Sequence, residues 1–430
     1  MYRVIVLAKG IIEAVKAIRA SSYKEIMACE TTFCELKNLV AVPFPRSGEM
    51  KGTIPTGLMN ARSEVLILPT SEYLTPQLPH FDATPEELKN HKVYKPNPVM
   101  IKSFDKEYNF MPSKEKPKRI KIKGSDGKDY FFLLKNEELG DSSKEAKFIN
   151  CIEAINHILK SDKECAKRNL QLQTYKIIPL SSSGSIIEWV MNTEPIRAIV
   201  LKLWSEHCMQ LDIGDIRNAC EEVKIKNATT GYWKIWYKIQ EMSKPVLYRW
   251  FLEQFPSGDA WYNGKLNFTR TCAVWSMVGH IIGLGDRHAD NILLNRKTGE
   301  VINVDFDCIF EKGKDLKIPE LVPFRLTRNF VDAFGIFHEK TEFVITCNVV
   351  LNALYKNRES IITNLESFVH DPLYESSHNT PVNPTKAISQ VRAKLEECAK
   401  GTKELVQRLI CQATNEETLK RMFIGWMPWL

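Results

Sequence analysis

Four side chains in two neighbouring stretches carry the atoms that phosphoryl transfer requires: Asp286, His288, Asn291 and Asp305. They lie in Gly283-Leu284-Gly285-Asp286-Arg287-His288-Ala289-Asp290-Asn291-Ile292-Leu293-Leu294 and in Val301-Ile302-Asn303-Val304-Asp305-Phe306-Asp307. That reaction needs a carboxylate or imidazole to orient the attacking hydroxyl, and amide and carboxylate oxygens to hold Mg²⁺ against nucleotide phosphates. Asp286 and His288 occupy a glycine-flanked turn after an apolar helix, and Asn291 follows closely. Asp305 ends the second strand of a hairpin turning at Arg296-Lys297-Thr298-Gly299. Each residue alone has an ordinary use as a turn former, cap or packed ring. Together they favour convergence on one phosphate. A metal-hydrolase cluster fits less well, because these two stretches hold only one histidine and no second lies at ligand spacing.

Such side chains need a rigid frame. Between residues 98 and 190 the pattern is that of a small α+β lobe. Arg119-Ile120-Lys121-Ile122-Lys123 alternates, Gly124-Ser125-Asp126-Gly127 turns and Tyr130-Phe131-Phe132-Leu133-Leu134 returns, which predicts a β-hairpin. Apolar positions at Phe148, Ile152, Ile155, Ile158 and Leu159 predict a helix over 146–172, followed by strands at Tyr175–Leu180 and Ile186–Val190. Beyond Asn192 the chain reads as mainly helical, and Glu375–Pro384 as a linker before a helical tail. Before residue 95 the spacing of Ile11, Ile12, Val15 and Ile18 predicts a helix. A Pro- and Gly-punctuated region and a strand-like Val65–Leu68 follow. Six basic residues between Lys114 and Lys123 alternate with Ile120 and Ile122, which reads as a solvated strand face rather than a nucleic-acid surface.

With 430 residues, 44% hydrophobic and 26% charged, the chain has material for more than one buried core and no tract that predicts bulk disorder. A net charge of +7, from 59 basic against 52 acidic residues, permits an anionic partner without requiring one. The eleven cysteines include no CxxC pair and read as reduced thiols. No segment is long and charge-free enough to span a bilayer, which points to cytosol or nucleus.

The Gly-Leu-Gly-Asp-Arg-His-x-x-Asn and Val-Asp-Phe-Asp motifs resemble those of the phosphatidylinositol 3-kinase-related protein kinases. The resemblance implies a two-lobed fold resembling phosphatidylinositol 3- and 4-kinases, with a mixed N-lobe and a mainly helical C-lobe. It implies Asp286 as catalytic aspartate, His288 as support for the transferring phosphate, and Asn291 with Asp305 as ligands of Mg²⁺ or Mn²⁺. ATP is the implied nucleotide. Lys135 would neutralise its phosphates, and the loop with Met111 and Ser113 would cover them. The family places an acid in the following helix to pair with that lysine. Here the run Asn136–Glu145 departs from the usual pattern, leaving Glu145 or Asp141 in the role. Glu188, Trp189 and Val190 resemble the hinge that holds adenine, and Leu133, Leu293 and Val304 would line its slot, although all three read as core without the resemblance.

Cys308–Thr327 is similar to the activation segment of the protein-directed members, with Lys312, Lys314 and Lys317 spread among acids rather than clustered for a lipid headgroup. The final residues, Ala413–Leu430, resemble the FATC segment that ends these kinases. The implied organisation is the end of a helical FAT region over 1–95, N-lobe over 98–190, C-lobe over 191–373, linker over 374–398 and FATC over 399–430. Lys123–Lys128, Ile186–Val190 and His370–Leu373 are most similar to the checkpoint branch, which implies nuclear DNA-damage and replication-stress signalling on protein Ser or Thr followed by Gln. A regulatory adaptor and at most indirect DNA contact are implied too. A phosphoinositide kinase and a catalytically silent scaffold are the alternatives. The long solenoid that normally precedes the family is missing, so the chain reads as a fragment.

Overall fold

The computed structural model describes residues 23–45, 48–59, 66–77, 79, 83–113, 115–136, 141–181, 183–207, 218, 229–336, 342–369 and 384–430. The helix expected near the start, the residues His370–Leu373 and residues 374–383 of the expected linker lie outside the described residues, while the rest of the segment read as linker, from Pro384 to Glu397, is helix. The chain forms two compact units. One is built on residues up to Glu153 with Thr174–Met191, the other on Ala154–Gln173, Asn192–Glu366 and Val382–Leu430.

The first unit is organised by a seven-stranded sheet in the order β1-β3-β4-β5-β7-β6, with β2 also pairing β4. Its strands are β1 (Lys51–Thr53), β2 (Ile101–Phe104), β3 (Glu107–Phe110), β4 (Lys118–Gly124), β5 (Asp129–Asn136), β6 (Ile177–Pro179) and β7 (Gly184–Glu188). The β4–β5 hairpin forms as its alternation predicts, with Ile120 opposite Phe132. Ile120, Ile122, Phe132 and Leu134 are fully buried and pack with Leu36, Leu39 and Val40 of helix α1 (Tyr23–Ala41). Because side chains alternate between faces, Leu133 and Lys135 share the face of β5 turned away from this core.

Lys118 differs from the solvated face expected of its neighbours. It has the same strand parity as Ile120 and Ile122 and is 4% exposed. Its ammonium donates to the Val40 carbonyl at 2.8 Å. The last carbonyls of a helix lack intrahelical partners and carry the negative end of its dipole, so the end of α1 draws a lysine inward that strand pattern alone would leave in water. Of the strand expected at Val65–Leu68, residues 66–68 are described, and there Ile67 makes an isolated bridge to Met100.

Helix α2 (Asp141–Ser161) stops before the expected 172. The Asp162 carboxylate accepts from the amides of Glu164 and Cys165 and starts a separate short helix, Lys163–Lys167. An N-cap aspartate favours such a restart.

The second unit carries a three-stranded sheet, β10-β9-β8, formed by β8 (Thr193–Pro195), β9 (Ile292–Asn295) and β10 (Val301–Asn303). Its longer helices are α3 (Ile196–Glu206), α4 (Thr229–Met242), α5 (Leu247–Gln254), α6 (Gly258–Ile282), α7 (Glu342–Lys356), α8 (Arg358–Val369), α9 (Pro384–Glu397) and α10 (Thr402–Ala413). The Ser257 hydroxyl caps α6 by accepting from the Ala260 amide. Val274, Trp275, Met277, Val278, Ile281 and Ile282 make the second half of α6 a buried rod. It ends at Gly283 in the left-handed region, φ 73°. A Cβ there would lie 2.6 Å from the Glu311 amide nitrogen, so glycine is required on both counts. That stop delivers the chain into the Asp286 turn. Among the described residues no helix is long and apolar enough to cross a membrane.

Candidate active site

The turn after α6 is held by main-chain bonds. The Leu284 amide donates to Gly279 and the Gly285 amide donates to Cys308. Asp286 then adopts φ 55° and Asp305 φ 61°. Left-handed backbone is uncommon for residues other than glycine, and aspartate is among the few that tolerate it. Among the unit's left-handed non-glycine residues, which include Phe310 and Glu311, these two belong to the four singled out by sequence, and such strain clusters at functional sites.

Arg287, which sequence reasoning left without a role, ties these two stretches together. It is 6% exposed. It donates from Nε to the Gly285 carbonyl at 2.8 Å and from NH1 to the Val304 carbonyl at 2.8 Å, and from NH2 to the Asp305 carbonyl. The Val304 amide in turn donates to the Asn291 carbonyl at 3.0 Å. Asn291 Nδ2 donates to the Asp286 carbonyl at 3.0 Å. Asp286, Asn291 and Asp305 therefore sit on one hydrogen-bonded frame.

The Asn291 amide nitrogen is used within that frame, which leaves its Oδ1 as the atom suited to a cation. Asp305 is exposed and Asn291 buried. A divalent ion that keeps several waters and phosphate oxygens needs only one or two protein oxygens, and this donor pair fits that demand. Among the described residues no group of three or more His, Cys, Asp or Glu is placed to hold a metal by itself.

His288 is half-buried, and burial lowers its pKa below the usual 6.5, against the nearby carboxylates of Asp286, Asp290 and Asp305. Its Nδ1 accepts from the Asp290 amide at 3.2 Å. The neutral ring thus carries its proton on Nε2, free to donate to a phosphate oxygen. Asp290 pairs with Arg197 at 2.8 Å.

In the first unit, Lys135 lies 3.4 Å from the Glu115 carboxylate of the loop between β3 and β4. That loop also holds Met111, whose amide donates to Pro117, and Ser113, whose amide donates to Met111. Glu145 is buried and accepts from the Tyr175 hydroxyl at 3.0 Å. The side chain of Asp141 lies outside the described residues, so both acids stay open as partners of Lys135.

Glu188 uses its carboxylate on its own unit. It accepts from the Ser71 amide at 2.7 Å and the Lys176 amide at 2.8 Å. Burial raises its pKa against these bonds. For Glu188 only the main chain is then a candidate for a ligand, and its amide already donates to Lys176 at 2.8 Å, as the Trp189 amide does to Phe131 at 3.1 Å. The Arg119 guanidinium stacks on the Trp189 ring at 5.6 Å. Leu133, Leu293 and Val304 are each half-buried. They differ in this from the full burial that their pattern alone suggests, because each lies on a strand or strand end turned from its core.

The fold is α+β with Asp286, Asn291 and Asp305 on one bonded frame, and the chain belongs to the phosphatidylinositol 3- and 4-kinase family, whose model matches residues 130–378. A FATC domain matches residues 401–430. The serine/threonine-protein kinase ATR of Arabidopsis thaliana is 35% identical over 381 residues, covering 85% of this chain and 14% of that protein. Protein kinase rad3 of Schizosaccharomyces pombe is 36% identical over 374 residues, covering 84% of this chain and 15% of that protein. A solved structure of the FAT and kinase domain of CtTel1 matches with a TM-score of 0.81 at 30% identity, covering 96% of this chain and 30% of that one. The chain thus spans about one-seventh of the length of these curated relatives.

Proposed function

We propose that the chain transfers the γ-phosphoryl group of ATP to serine or threonine hydroxyls of proteins. The observation that carries this reading is the Arg287 frame, which fixes Asp286, Asn291 and Asp305 relative to one another. Asp286 orients the attacking hydroxyl and takes its proton, and the His288 Nε2 proton stabilises charge on the moving phosphoryl oxygens. Lys135 neutralises nucleotide phosphate, with the Met111–Ser113 loop beside it. Glu188, Trp189 and Val190 supply main-chain and ring contacts to adenine, and Leu133, Leu293 and Val304 supply apolar ones. Asn291 and Asp305 hold Mg²⁺ or Mn²⁺, which supplies positive charge to the phosphates when bound.

The similarity to ATR and rad3 supports a place in nuclear checkpoint signalling, a preference for Gln after the phosphorylated residue, and an activating adaptor through which any DNA signal arrives indirectly. The test is phosphate transfer from labelled ATP to paired peptides differing only in Gln after Ser, beside phosphoinositide vesicles. Transfer to the Gln peptide, lost in Asp286→Asn, supports the reading. Transfer to lipid alone, or none with ATP bound, overturns it.

A further inference from the structure

The turn that carries Asp286 is anchored from a second direction. Glu320 Oε2 accepts the Asp286 main-chain amide at 2.8 Å. The Glu320 amide donates to the Gly313 carbonyl at 2.8 Å. A Cβ on Gly285 would come within 2.6 Å of this carboxylate oxygen, and one on Gly313 within 2.5 Å. The carboxylate therefore occupies space that only two glycines leave open. Burial raises its pKa, and so does the neighbouring Asp286 carboxylate, while the bond to the Asp286 amide and the Arg287 charge oppose them. Burying a carboxylate close to another carboxylate is costly, and the bond to the Asp286 amide offsets part of that cost.

The residues around Glu320 are fixed by the chain's last turn. The Leu321 amide donates to the Met422 sulfur at 3.3 Å. Arg325 donates to the carbonyls of Trp426 at 2.7 Å and Met427 at 2.8 Å, and to Arg287 at 3.3 Å. Its guanidinium stacks on the Trp426 ring at 4.2 Å.

We propose that Glu320 is a positioning residue for Asp286: its carboxylate holds the Asp286 amide so that the aspartate keeps its left-handed backbone, and the C-terminal residues Met422–Met427 hold Glu320 in place. The charge-assisted bond to the amide is of the stronger class, and it acts on the one residue of the turn whose conformation is disfavoured. The inference rests on the kinase reading of Asp286 for its consequence, while the anchoring itself is independent of it.

The test compares Glu320→Ala and Glu320→Gln with the unsubstituted full chain by amide hydrogen exchange and by peptide phosphorylation. Alanine should speed exchange of the Asp286 amide by about tenfold or more. It should lower kcat by about 10- to 100-fold with KM for ATP and peptide unchanged. Glutamine, which keeps an acceptor at the same reach, should restore most of both. Should the alanine variant not fold, Glu320→Met, of similar length without a strong acceptor, gives the same contrast with glutamine. Unchanged exchange, a rise in KM with kcat retained, or glutamine no better than alanine or methionine would overturn the proposal. No transfer by the unsubstituted chain counts against the kinase reading instead, and the exchange of the Asp286 amide still decides the anchoring.

Discussion

Arg287 and Val304, seventeen positions apart, are joined by a 2.8 Å bond from the guanidinium to a main-chain carbonyl. Through it the turn bearing Asp286 and the strand end bearing Asp305 become one body. Removing that guanidinium in Arg287→Ala leaves the carbonyls of Gly285, Val304 and Asp305 without it. The expected outcome is a loss of about 2–4 kcal/mol of stability and of about 100-fold or more in transfer rate. Thermal melting and single-turnover transfer measure the two. Lysine at this position should not rescue, since one ammonium cannot reproduce a planar fork.

Asp305 separates stability from activity. Its side chain is exposed and its backbone is left-handed, a conformation that asparagine tolerates equally. Asp305→Asn should melt within about 0.5 kcal/mol of the unsubstituted chain and yet lose Mg²⁺-dependent transfer. A Mg²⁺ titration of activity that matches the unsubstituted chain would remove Asp305 from the metal role.

Lys118 predicts an alkaline signature in stability. Burial lowers its pKa from 10.5 to about 8. Between those values the unfolded chain binds the extra proton, so stability rises with pH across that window. Below it both states are protonated, and the full cost of burying the charge is present. Lys118→Met removes the titration. The difference in melting temperature, unsubstituted minus variant, should therefore climb from pH 8 towards pH 10.5, and a flat difference would show that the ammonium is not desolvated.

Arg325 depends on the chain's end. It is 5% exposed and donates to Trp426 and Met427. Deleting residues 426–430 leaves a buried charge short of acceptors, at a cost of about 3–5 kcal/mol. Arg325→Met in the truncated chain should recover part of that stability without recovering transfer. Denaturant melts and peptide phosphorylation distinguish the two effects.

Much of this protein is legible in its sequence because much of it is local. The β4–β5 hairpin follows from alternation and a glycine turn, and the end of α6 from Gly283, while residue type and spacing single out Asp286, His288, Asn291 and Asp305 as candidates for phosphate chemistry. Where local pattern misleads, the causes differ. The distant end of α1 turns Lys118 inward, whereas Asp162, a local cap, restarts the helix that apolar spacing would have continued.

The order of residues alone determined which side chains could handle a phosphate and which strands and helices would carry them, since both depend on neighbours a few positions apart. Tertiary structure alone decided how those side chains are held. Arg287 joins carbonyls from two segments, Glu320 reaches back to the Asp286 amide, and Arg325 gathers the last turn. Each bond closes a long loop, and its energy comes from burying charged and polar groups against acceptors that are far away along the chain.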